Sequence, residues 1–103
     1  MIAAQSVPTS EIPDVYYDRG RVYLARNVND RAIADFSEAI RLRANYTDAF
    51  IIRGNTRLAK GDTDGAETDF NAAVQSDPRN ADTHTNLGNL YHSKGANERA
   101  LVE

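Results

Sequence analysis

Few side chains in this sequence have the types and spacing that chemistry at a site requires. There are no cysteines, which excludes disulfides, thiolate metal sites and a cysteine nucleophile. The two histidines, His84 and His92, are eight residues apart, whereas two imidazoles that share a metal on one helix are four apart. The acids of segment 62–67 are too few for a calcium loop of about twelve residues. We therefore expect no metal, no cofactor and no catalytic function.

The amino-acid composition of the chain argues against some classes of partner. The chain has 103 residues, enough for one small domain, and its 12 Lys+Arg against 15 Asp+Glu give a net charge of -3. Because phosphate binding needs clustered positive charge and no basic block is present, we expect no nucleic-acid partner. No run approaches the roughly 20 apolar residues that span a bilayer. We expect no intact signal peptide and no membrane span, and the compartment stays open between cytoplasm and periplasm.

The chain repeats itself with a period of 34 residues. A shift of this size superimposes Gly20, Gly54 and Gly88, and it places five of the six glycines on one lattice. The other matches are Asp14 with Asp48 and Asp82, Ala32 with Ala66 and Ala100, Phe36 with Phe70, Ala39 with Ala73, and Gly61 with Gly95. We predict a flexible segment at 1–12 and three units at 13–46, 47–80 and 81–103.

Each unit is predicted to contain two helices. The first helices should span 14–26, 48–60 and 82–94, and the second helices 30–43, 64–76 and 98 onward. Residues that can cap a first turn precede the second helices, namely Asn29, Thr63 and Asn97. Residues suited to the left-handed conformation end the first helices, namely Asn27, Gly61 and Gly95. The sequence therefore predicts an all-α chain of helical hairpins.

A glycine in the middle of each first helix needs a physical reason, because it costs about 1 kcal/mol relative to alanine. Its presence in all three units indicates that another helix approaches closely at that point. On the second helix, Ala32 and Phe36 form a small–large pair four residues apart that suits this contact. We predict that Phe36 and Phe70 lie in the core.

The period and these residues together resemble the tetratricopeptide repeat family. The first unit matches at Tyr16, Arg19, Gly20, Tyr23, Ala32, Phe36 and Ala39; the second at Phe50, Arg53, Gly54, Ala66, Phe70, Ala73 and Pro78; the third at Leu87, Gly88, Tyr91 and Ala100. Ala44 replaces a closing proline, and Arg57 and His84 replace aromatic residues. The motif Ala-x-x-Asp-Phe-x-x-Ala is similar to that of bacterial members of the family. The resemblance implies a right-handed α-solenoid of antiparallel helix pairs, with two full repeats and a truncated third, and a packed or partly buried His84.

The same resemblance implies a function in binding other proteins. In the family, the first helix of each pair lines a concave groove. The residues that match this surface are Tyr17, Arg21, Leu24, Ile51, Asn55, Leu58, Thr85, Asn89 and His92. We expect them to bind an extended peptide or a helix of a partner protein, although their apolar members could instead contact the neighbouring repeat.

Family members that grip the acidic C-terminus of chaperones use Lys and Arg in this groove. The lysine positions here hold Tyr17 and Thr85, so we do not expect that specificity. An alternative function starts from the third unit, because the equivalent of Phe36 would be position 104, one beyond Glu103. Either the chain is a fragment of a longer array, or the incomplete unit is covered by another copy of the chain, which would make the module a homo-oligomerisation element.

Overall fold

Five helices follow one another along the chain. The structure is a computed structural model that describes the backbone of residues 12–102 and the side chains of residues 12–95. The helices are α1 (Ile12–Ala25), α2 (Asn29–Leu42), α3 (Thr47–Ala59), α4 (Thr63–Ser76) and α5 (Ala81–Val102). Each packs against the next one along the chain, and no strand occurs within residues 12–102. The predicted solenoid of helix pairs is confirmed. The predicted flexible segment falls on residues outside this range, except that Ile12 already begins α1.

The turns within the first two units have the predicted ends but different caps. Asn27 and Gly61 adopt φ values of 61° and 88°, the left-handed conformation expected after α1 and α3. The predicted capping positions are wrong by one residue, because α2 and α4 already include Asn29 and Thr63. Asp62 caps α4 by accepting a hydrogen bond from the amide of Gly65 at 2.9 Å, since its side chain rather than that of Thr63 lies beside the free amides of the first turn.

The predicted contact between glycine and ring is present in the first two units. A Cβ atom added at Gly20 would lie 2.6 Å from Cε1 of Phe36, and one added at Gly54 would lie 2.6 Å from Cε1 of Phe70. Both rings are fully buried. The missing side chain is therefore what lets each hairpin close, and the prediction that these rings lie in the core is confirmed.

The units stack through the second helix of one and the first helix of the next. Ala39 of α2 packs against Ala49 of α3. Leu90 of α5 packs against Ala66 and Phe70 of α4. Each second helix within residues 12–102 is thus covered on both sides, so α2 and α4 form the buried centre of the stack.

The third unit differs from the prediction. α5 runs without a break from Ala81 to Val102, so the turn expected at Gly95 and Asn97 is wrong. Within residues 12–102, α5 has no second helix of its own unit packed against it, and a Cβ atom at Gly88 would meet nothing within 4 Å. His84, predicted to be packed, is exposed for the same reason, and its Nε2 lies 2.6 Å from the carbonyl oxygen of Pro78. The predicted turn at Gly95 therefore lacks the contact that closes the first two hairpins, in which a Phe ring packs against the helix glycine.

None of the described helices is both long and apolar enough to cross a bilayer.

Candidate peptide-binding site

The structure places all nine predicted groove residues on the first-type helices α1, α3 and α5. Tyr17, Leu24 and Ile51 are half-buried. The other six are exposed, namely Arg21, Asn55, Leu58, Thr85, Asn89 and His92. The set therefore combines a partly buried apolar base with polar side chains that reach solvent, while its role in binding stays a prediction.

Tyr17 joins the predicted binding face to the core of the first hairpin. Its ring stacks on that of Tyr46 at 5.2 Å and lies tilted against that of Phe36 at 5.8 Å. Burial, followed by the nearby carboxylate of Asp48, raises the pKa of Tyr17 above its usual value. The guanidinium of Arg21 lies 5.9 Å from the same ring. Tyr17 is thus a fixed wall of the surface rather than a freely moving side chain.

Asp14, at the start of the same helix face, is engaged within the protein. It accepts a hydrogen bond from the hydroxyl of Tyr46 and one from Nη1 of Arg43 at 3.1 Å. These hydrogen bonds, that of Tyr46 first, hold the pKa of Asp14 below its usual value. Burial and the bond to Asp14 raise the pKa of Tyr46. This cluster anchors α1 to the start of α3 and shapes that end of the surface.

The middle and far parts of the surface carry polar groups that no other described residue engages. Asn55, Thr85 and Asn89 make no side-chain hydrogen bond to any described residue. Asparagine offers both a donor pair and an acceptor, which is the complement of a peptide backbone. Asn55 and Asn89 are 34 residues apart, so the repeat presents the same amide twice along the array.

Sequence reasoning missed the ion pairs that hold each hairpin in shape. Nε and Nη2 of Arg19 donate to Asp35 at 2.8 and 2.7 Å. The equivalent Arg53 donates to Asp69 at 3.0 and 2.7 Å, and Arg57 adds a third bond at 3.0 Å. Both carboxylates are buried. The signal was present in the sequence, since each Arg and Asp are 16 residues apart in both units.

These pairs orient the first helices and so the face that carries the nine predicted residues. Each guanidinium reaches from a first helix to a carboxylate on the second helix beside the Phe ring, and two parallel bonds fix both distance and rotation. Arg53 also donates to Ser37 Oγ of the preceding unit at 3.0 Å. The rotation of α3, and with it the direction of Asn55, is thus set by contacts on the opposite side of the helix.

A pocket of about 390 Å³ lies elsewhere on the molecule. It is lined by Ala44, Asn45, Phe50, Ala72, Gln75 and Ser76. These residues belong to the α2–α3 loop, to α3 and to the end of α4, and none is among the nine predicted residues. No group of three or more His, Cys, Asp or Glu residues within the described part of the chain could hold a metal.

Comparison with known families agrees with the geometry. Residues 13–46 match the profile described as tetratricopeptide repeat, and residues 54–95 match one described as TPR repeat. Together they include both glycine–ring pairs, Gly20 with Phe36 and Gly54 with Phe70. The chain belongs to the tetratricopeptide repeat family. TPR repeats are in general a protein-interaction fold rather than an enzymatic one, and no curated protein matches this TPR chain.

Solved structures resemble this TPR domain closely in shape. The first TPR of Spaghetti (RPAP3) bound to HSP90 peptide SRMEEVD has a TM-score of 0.76 at 23% identity, over 81% of this chain and 66% of that one. The crystal structure of MamA has a TM-score of 0.79 at 24% identity, over 86% of this chain and 52% of that one. The second TPR domain of human RPAP3 in complex with HSP70 peptide SGPTIEEVD gives 0.73 at 27% identity, over 80% and 68%. This chain thus spans under two thirds of the first two.

Proposed function

We propose that this TPR domain is a protein-interaction module, without catalytic function, that binds a peptide or helix of a partner protein on the face of α1, α3 and α5. The observation that carries the proposal is the pair of exposed amides, Asn55 and Asn89, which no described residue engages. Beside them, the half-buried Ile51 and Leu24 offer apolar contact. Two of the similar structures hold a bound peptide, which supports the same use of this fold.

The charge of the surface favours a ligand other than a strongly acidic one. Asp48 and Asp82 are exposed on the same helix faces, and the cation of Arg21 is the one positive group among the nine proposed residues. Carboxylate recognition depends on charge-assisted hydrogen bonds from Lys or Arg. A peptide such as SRMEEVD should therefore bind weakly, and a neutral or mildly basic segment should bind better.

The experiment begins with peptides selected on the immobilised chain from a random phage-displayed library. The affinity of the best synthetic peptide is then measured by fluorescence anisotropy against the wild-type chain and the Asn55→Ala/Asn89→Ala variant. Loss of two hydrogen bonds of about 1 kcal/mol each predicts a weakening of roughly thirty-fold. The matched control is Asn71→Ala, an exposed asparagine on α4, which should leave the affinity unchanged.

Two results would count against this function. Equal affinity of wild type and double variant would place the ligand elsewhere. Tight binding of SRMEEVD would refute the argument from charge. Circular dichroism at 222 nm should show unchanged helicity in every variant, so that a loss of binding cannot be attributed to unfolding.

The alternative function, homo-oligomerisation, has its own observation. The open space beside Gly88 contrasts with the ring-filled space beside Gly20 and Gly54, and Tyr91 on the same helix is exposed. A second copy covering α5 would make the sedimentation-equilibrium mass rise with concentration. Gly88→Arg should prevent that rise, and a constant monomer mass at all concentrations would exclude this function.

A further inference from the structure

The outer face of α1 carries residues whose counterparts in the later units are buried. The two positions concerned are 15, 49 and 83, and 22, 56 and 90, each set 34 residues apart. In the second and third units the exposed fractions are 0% for Ala49, 2% for Thr56, 0% for Thr83 and 1% for Leu90. In the first unit they are 49% for Val15 and 51% for Val22. Valine makes both positions apolar, and the exposed Asp18 lies between them on the same helix face.

The buried counterparts show what such a face contacts. Ala49 packs against Ala39 of α2, and Leu90 packs against Ala66 and Phe70 of α4. In both cases the first helix of one unit receives the second helix of the preceding unit. Within the described residues, α1 has no helix in that place.

Charge repeats along with the apolar positions. Lys60, near the end of α3, pairs with Asp30 in the first turn of α2. Lys94 of α5 lies 3.9 Å from Asp64 in the first turn of α4. The equivalent cation on the first unit is Arg26, which is exposed and makes no ion pair with a described residue. The outer face of α1 thus has two apolar positions and one cation with the spacing of an established interface.

We propose that this face, formed by Val15, Val22 and Arg26, binds an amphipathic helix of a partner protein. The helix presents small and aromatic apolar side chains on one side and an Asp or Glu in its first turn, and it lies on α1 as α2 lies on α3. A folded second copy cannot supply it from residues 12–95, because its α2 and α4 are each covered on both sides. This surface is separate from the groove and acts independently of it.

The test uses methyl NMR on the full chain, since two valines and one ion pair make a weak contact. The probe is a synthetic peptide with the sequence of residues 28–45, which contains the α2 face and Asp30. On titration, the methyl resonances of Val15 and Val22 should shift, while those of Leu58 in the groove should not. Shifts confined to Leu87 on α5, or no shift at millimolar peptide, would overturn the proposal.

Substitutions in the chain and in the peptide test whether the peptide binds at this face and in this register. Val22→Asp should abolish the shifts at Val15, whereas Leu42→Asp, at an exposed apolar position on α2, should retain them. Arg26→Glu should weaken binding about three-fold, and a peptide carrying Asp30→Lys should restore it. Failure of this charge exchange to restore affinity would contradict the proposed register.

Two other occupants would also be revealed. A concentration-dependent rise in mass that Val22→Asp removes would assign the face to a second copy. Peptide-induced shifts that appear only after deletion of residues 1–11 would assign it to the chain's own leading segment. Either result would overturn the proposal, and neither bears on the Asn55 and Asn89 measurements, so the groove is tested separately.

Discussion

Replacement of Gly54 by alanine tests the contact between a helix glycine and a Phe ring, which closes each of the two complete hairpins. The new Cβ would lie 2.6 Å from Cε1 and 2.9 Å from Cδ1 of Phe70, and 3.2 Å from Cβ of Asp69. Ordinary contact begins near 3.4 Å, so the ring and α4 must retreat by about 0.8 Å. Phe70 is fully buried, and the hydrogen bonds from Arg53 hold the adjacent Asp69 in place.

The magnitude is the difference between two effects. Overpacking a tight core costs about 1–3 kcal/mol, and the restrained ring favours the upper end of that range. Alanine gains about 1 kcal/mol over glycine in a helix interior. We therefore expect Gly54→Ala to lower the free energy of unfolding by about 2 kcal/mol.

The control has the opposite sign. At Gly88 nothing lies within 4 Å of the added Cβ, so Gly88→Ala keeps the helix-propensity gain alone and should raise the free energy of unfolding by about 1 kcal/mol. Urea unfolding followed at 222 nm measures both variants. Phe70→Leu replaces the ring by a smaller aliphatic side chain and should reduce the cost of Gly54→Ala in a double-mutant cycle.

The reasoning would be refuted if both glycine variants changed stability in the same direction. It would also be refuted if the cost of Gly54→Ala were the same with phenylalanine and with leucine at position 70, because the contact with the ring would then not be its source.

Three further predictions concern side chains that fix the hairpins. Arg53→Ala removes two of the three hydrogen bonds to the buried carboxylate of Asp69 and leaves the one from Arg57, so it should cost about 2 kcal/mol by urea unfolding; a cost below about 0.5 kcal/mol would place this pair with weak surface pairs. Asp62→Ala removes the cap of α4 and should cost about 1 kcal/mol, with unchanged stability as the contrary result. The hydrogen bond from Tyr46 is the main cause of the lowered pKa of Asp14, so the contribution of Asp14 to stability is present above its unfolded pKa of about 3.9 and is lost as the pH falls through its folded pKa. Asp14→Asn should therefore flatten the loss of unfolding free energy between about pH 5 and pH 2. An unchanged dependence of that free energy on pH would contradict the assignment.

The arrangement of the helices could be predicted from the sequence because its physical causes are local or repeat at a fixed interval. Left-handed residues such as Asn27 and Gly61 end helices through their own backbone preference. A glycine in a helix interior signals a close neighbour, and the 34-residue period identifies that neighbour as the ring of Phe36 or Phe70. Even the Arg19–Asp35 pair was encoded in this way, although its signal went unnoticed among ordinary surface charges.

The tertiary structure decided those features that depend on whether another helix is packed against a given face. Gly95 and Asn97 have the chemistry of a turn but lie inside α5, and within the described residues no second helix of that unit packs back against α5. Val22 and Leu90 hold equivalent positions, yet one is exposed and the other buried, since burial depends on the helix packed in front. Intrinsic residue preferences set where helices can end, whereas only the assembled stack determines which faces remain open to bind another molecule.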